Sequence, residues 1–115
     1  MYVYGKDTIR FDNNGDLAHF IRWDKSSPVN GNSPFQCGQR VSVEVDMNQR
    51  RAYFFVDGKE QKNFVFNIPS EIRFYAFISK SNSSFQVTKF EMIEKSSACG
   101  VLGSKGWEWG KEWKQ

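Results

Sequence analysis

The sequence predicts an all-β chain folded as an antiparallel β-sandwich, and three observations carry that expectation. Apolar and polar residues alternate with a period of two along most of the chain, and helical spacing is hard to find. Turn signals recur at short intervals, among them Asn14-Gly15 and Asp57-Gly58. Aromatic residues form 17% of the 115 residues, eleven of them Phe, and such side chains favour the half-buried surface of a sheet. About seven short strands at regular spacing fit two packed antiparallel sheets.

The elements follow in order. "TIRFD" (8–12) alternates with Ile9 and Phe11 on one face, and "DLAHFIRW" (16–23) with Leu17, His19, Ile21 and Trp23. Between them "DNNGD" reads as a hairpin turn. Residues 24–39, rich in Ser, Pro, Asn and Gly, read as a long surface loop. "RVSVEVDM" (40–47) turns Val41, Val43 and Val45 inward, and "RAYFFV" (51–56) is apolar on both faces, as a doubly covered strand is. After the Asp57-Gly58 turn, "KEQKNFVFNIP" places Phe64, Phe66 and Ile68 on alternate positions, with Pro69 ending the segment. "EIRFYAFISK" (71–80) sets Ile72, Phe74, Ala76 and Ile78 against Tyr75 and Phe77. "SFQVTKFEMI" (84–93) closes the series, its phase shifting at a bulge near Thr88.

The last residues differ in composition. "SSACGVLGSKGWEWGKEWKQ" holds Trp107, Trp109 and Trp113 among four glycines. The expected division is a β-sandwich over 1–94 and a Gly/Trp-rich C-terminal tail over 95–115. Large indoles usually bury within their own chain, so Trp107 and Trp109 are expected to pack on the body at an edge strand or open face.

Composition also narrows the function. The formal charge of +3 arises from 16 Lys and Arg against 13 Asp and Glu, too small and dispersed an excess for nucleic acid. Arg50-Arg51 and lysines 105, 111 and 114 are the basic candidates, and Glu108 and Glu112 interrupt the latter. No apolar stretch reaches transmembrane length, and no secretory segment opens the chain, so a cytoplasmic location with no membrane partner is expected. Asn82-Ser83-Ser84 matches the glycosylation pattern only by chance in that setting. Cys37 and Cys99 lack metal-ligand spacing and read as free thiols.

The stretch "GQRVSVEVDMNQRRAYFFVDGKEQKNFVFNIPSEIRFYAFISKSNSSFQVTKFE" resembles the C-terminal half of a SPRY domain, over residues of about 38–91. "FFVDGK" matches that family's F-F-x-N-G-K, with Asp57 in place of Asn, and "NIP" before an aromatic-rich strand also fits. The resemblance implies a concanavalin-like sandwich that recognises a protein or peptide through loops at one rim. It also implies that front strands of the domain are missing: a shortened variant, a fragment, or a chain completed by a longer product or partner.

Chemistry is sparse. His19 is the single histidine and lies on an apolar strand face, so pairing with Cys37 or Cys99 is the one nucleophilic arrangement on offer, and no motif frames either cysteine. Asp12, Asn14 and Asp16 begin like a calcium loop, but Leu17 stands where glycine is required and Trp23 where glutamate is required. The expectation is therefore a non-catalytic binding module with no cofactor and no metal. Partner-binding candidates are Lys80, Ser81 and Asn82 in "KSNSS", and Asn30, Asn32 and Phe35 in the long loop. A lectin-like carbohydrate-binding sandwich is the alternative, with Trp23 or the tail tryptophans as sugar platform.

Overall fold

A computed structural model describes residues 7–22, 25–76, 82–93 and 95–115. It is all-β, and no helix occurs among the described residues, so none there is long and apolar enough to cross a membrane. Strands β1 (Thr8–Phe11), β2 (Leu17–Arg22) and β3 (Lys25–Val29) form one antiparallel sheet in the order β1-β2-β3. The second sheet runs β4 (Val41–Asp46), β5 (Arg51–Val56), β7 (Asn63–Phe66) and β8 (Lys105–Glu108), with the short β6 (Lys59–Glu60) also paired to β5.

Local chemistry explains the hairpins. Between β1 and β2 the Asn14 side chain accepts the Asp16 N–H at 3.0 Å, an Asx turn. Gly15 (φ +95°) must be glycine, because a Cβ there would drive into the Asn32 carbonyl oxygen. The β4–β5 turn is capped by Asp46, whose Oδ1 accepts the N–H groups of Asn48 and Gln49 at 3.0 Å each. Asp57 (φ +49°) and Gly58 (φ +78°) are both left-handed, the geometry of a two-residue type I′ turn, and Val56 pairs with Lys59 across it. Hydrogen bonds from the Arg40 N–H and then the Gln39 amide hold the Asp57 carboxyl below the usual carboxylate range.

The core lies between the sheets. Leu17 and Val29 from one and Ala52, Phe54 and Val65 from the other cluster with Ile68, Trp107 and Trp113. Phe11 meets Phe54 edge-on across the gap at 5.6 Å. Both faces of β5 are covered, as its apolar run demands: Ala52, Phe54, Phe55 and Val56 are all buried.

Four expectations need correction. The segment expected as loop over 24–39 contains β3, with Pro28 opposite Ala18. Proline is tolerated there because β3 is the edge strand of its sheet among the described residues, with no further neighbour there to receive an N–H. The parity of β7 is inverted: Asn63 and Val65 face inward, and Phe64 and Phe66 are half-buried on the outer face, where Tyr53 stacks on Phe64 at 5.4 Å. Ile68 rejoins the core because Asn67 (φ +60°) breaks the alternation. The strands expected over 71–80 and 84–93, with the bulge at Thr88, do not form at 72–76 or 82–93; both stretches are irregular and exposed, while 77–81 lie outside the described residues. Finally, the sheets are not purely antiparallel, since β8 pairs with β7 in parallel, Asn63 to Phe66 matching Lys105 to Glu108.

The C-terminal stretch is thus part of the body, and Trp107 and Trp113 are buried while Trp109 is half-buried against the core. A Cβ on Gly106 would lie 2.8 Å from the Phe64 ring, so glycine is what lets β8 approach β7.

Two outcomes follow. Replacing Gly58 with Val should destabilise the chain by roughly 1–3 kcal/mol, because a β-branched residue resists positive φ; an unchanged denaturation midpoint would contradict the turn. Deleting residues 97–115 should expose Val65 and the β7 edge, giving aggregation or dimerisation and stronger hydrophobic-dye binding. Light scattering that finds a stable monomer would show that β8 is dispensable.

Candidate functional site

The loop after β3 serves the interior. Asn32 is buried, and its Oδ1 accepts the Asn63 N–H at 2.9 Å. Phe35 is half-buried and packs edge-on against Phe11 at 5.1 Å. Asn30 is exposed, but its carbonyl and side-chain oxygens accept from Gln115 Nε2 at 3.0 and 2.9 Å, which ties the loop to the C-terminus. Asn32, a loop candidate from the sequence, thus sits in the interior against β7. Of the other loop candidates, Asn82 is exposed with φ +64°, whereas Lys80 and Ser81 lie outside the described residues.

Exposed apolar side chains lie on either side of Asn82 in the sequence. Ile72, Phe74 and Tyr75 precede it, and Phe85, Val87, Phe90, Met92 and Ile93 follow it, all exposed. Phe90 is 81% and Met92 98% exposed, values that leave whole apolar side chains in water. Phe74 meets Phe90 edge-on at 6.1 Å, so the two stretches share one patch. A groove of about 600 Å³ extends it between Met47 and residues Ser70, Glu71, Ile72 and Arg73. Val41 and Val43 on β4, the end strand of its sheet among the described residues, are also exposed. Alternation in the sequence placed Ile72, Phe74 and Tyr75 on one expected strand and Phe85 to Ile93 on another, and turned Val41 and Val43 inward. Although the Tyr75 side chain is exposed overall, partial desolvation of its phenol raises its pKa above the ordinary tyrosine value.

Polar anchoring borders the patch. Glu44 on β4 accepts from the Ser96 hydroxyl at 2.8 Å and from the Ser97 N–H and hydroxyl at 2.7 Å each. Partial burial pushes its pKa upward, but these hydrogen bonds, with help from the Lys89 charge, outweigh it and bring it down. Glu60 likewise receives the N–H groups of Cys99 and Gly100 at 2.9 and 3.0 Å. Two glutamates therefore pin the chain between the apolar patch and β8.

The reactive groups singled out from the sequence are dispersed or occupied. Cys37 and Cys99 are exposed free thiols. His19 is fully buried, with Nδ1 2.9 Å from the Thr8 carbonyl and Nε2 2.9 Å from the Gly110 N–H, so neither nitrogen is open to a thiol. Asp12 pairs with Arg10 at 2.6 Å, and Asn14 donates to Asp16 at 3.2 Å, so the calcium-like oxygens are used within their own hairpin. Of the indoles considered as a sugar platform, Trp107 and Trp113 are buried and donate their N–H groups to Asn63 and the Glu108 carbonyl, while Trp23 lies outside the described residues. Comparison with protein-family models, curated proteins and solved structures finds no match.

Proposed function

We propose that the chain is a non-catalytic binding module of SPRY type, with a concanavalin-like sandwich, that recognises a protein or peptide partner. The observation that carries this reading is the apolar patch over 72–76 and 85–93. Soluble monomers rarely leave so many large apolar side chains together in water, and such patches mark surfaces that a partner covers. Asn82, from the loop expected at the rim, falls between its two halves in the sequence, which supports recognition in this stretch of the chain. The sequence resemblance over 38–91 supports the family assignment, and the two-sheet all-β architecture is compatible with it.

Selection of peptides from a display library against the folded chain tests this. Binders should be apolar or aromatic, and Phe90→Asp with Met92→Asp should weaken them at least tenfold at an unchanged melting temperature. Both side chains are exposed, so the fold does not depend on them. Binders indifferent to both substitutions would overturn the assignment of the site.

The carbohydrate alternative makes a different demand, since any ligand of the native state must raise its thermal stability. Neither calcium nor a panel of simple sugars is expected to shift the melting temperature. A calcium-dependent rise abolished by Asp12→Ala would favour the lectin-like alternative.

A further inference from the structure

We propose that His19 is a pH-sensitive latch: neutral, it holds the C-terminal segment after β8 closed against β2, and protonated it lets that segment go. The imidazole is fully buried, and its two nitrogens face opposite kinds of group. The Thr8 carbonyl, 2.9 Å from Nδ1, can only accept, so the proton resides on Nδ1. The Gly110 N–H, 2.9 Å from Nε2, can only donate, so Nε2 must present its lone pair. Only the neutral Nδ1–H tautomer satisfies both. The second proton has one place to go, Nε2, and there it sets two N–H donors against each other.

That contact joins residues far apart in the chain. Trp109 and Trp113 flank the imidazole at ring separations of 4.7 and 5.2 Å, and Gly110, between them, is left-handed at φ +86°. Losing the Gly110 bond therefore loosens the segment where both indoles are seated.

Other charges modulate this without reversing it. Burial lowers the His19 pKa, while the Thr8 hydrogen bond and the Asp7 carboxylate at the approach to β1 oppose that shift. On the C-terminal side, Glu108 is turned to Asn67 at 3.2 Å, and Lys111 and Glu112 are exposed. The indole faces would attract an imidazolium, which affects the midpoint; the opposed donors at Nε2 remain. The sign follows from the shift. The closed-state pKa lies below that of a free histidine, so closure is fully favoured above about pH 6.5. Below it, the open form takes up the proton, and closure weakens by up to tenfold per pH unit until the closed state itself titrates.

Because His19 is the only histidine, the intact chain reports on it directly. Ring nitrogen NMR should show the Nδ1–H tautomer at neutral pH and a titration midpoint below 6.5. The Gly110 amide signal and a red shift of tryptophan emission should move with the same midpoint. Asp7→Asn should shift that midpoint further toward acid, and His19→Gln should abolish the step if it folds. An ordinary imidazole titration with no change at Gly110 or in tryptophan emission would overturn the latch. So would an emission change that tracks carboxylates and is unmoved by Asp7→Asn.

Discussion

The C-terminal half of the structure depends on one buried amide, that of Asn63. Its backbone N–H donates to Asn32 Oδ1, its Nδ2 to the Asn30 carbonyl at 3.0 Å, and its Oδ1 accepts the Trp107 indole N–H at 2.9 Å. One side chain thus ties the loop after β3, strand β7 and strand β8 together. A buried polar group left without its partner costs about 1–3 kcal/mol, so each of these segments enforces the position of the others. The parallel pairing of β8 follows from this. Trp107 enters the core opposite Val65, and its polar edge has a partner only because Asn63 points inward.

How much of this was legible in the sequence depends on how local the cause is. The hairpins were readable because Asn14-Gly15 and Asp57-Gly58 carry their turn chemistry within a few residues. Strand β5 was readable because apolarity on both faces has a single meaning at that length. The inverted parity of β7 was not, because counting apolar residues selects Phe64 and Phe66 and discounts Asn63, whose burial rests on Asn30, Asn32 and Trp107. Strand β8 was equally hidden: "KGWE" has no alternation of its own, and its partner lies some forty residues earlier. The same non-local logic moved Asn32 from the expected surface loop into the interior. Its sequence neighbours look like a solvated loop, while its contacts are with β7.

The segments over 72–76 and 82–93 show the opposite failure. Apart from the phase shift near Thr88 they read as strands, yet period-two patterning specifies a strand only where a neighbouring strand supplies the ladder. Those stretches lack regular structure, and their apolar side chains, read from the sequence as strand positions, lie open to water. A strand pattern found exposed and without a ladder is the physical basis for proposing recognition there rather than at the Asn-rich loop.

The two ends of the second sheet now stand in contrast. At one, β8 occupies the edge of β7, and its burial engages the buried Trp107 and Trp113 with the half-buried Trp109. At the other, β4 is the end strand among the described residues, with Val41 and Val43 exposed and Glu44 fastened to Ser96 and Ser97. The stretch pinned by Glu44 and Glu60 runs between the apolar patch and β8, so the chain that closes one edge is continuous with the chain that leaves the patch open. Aromatic residues used to seal the β7 edge are unavailable to cover Phe85 through Ile93. The exposed side chains over 85–93 therefore belong to a stretch that enters neither sheet, and they are the surface proposed for a partner.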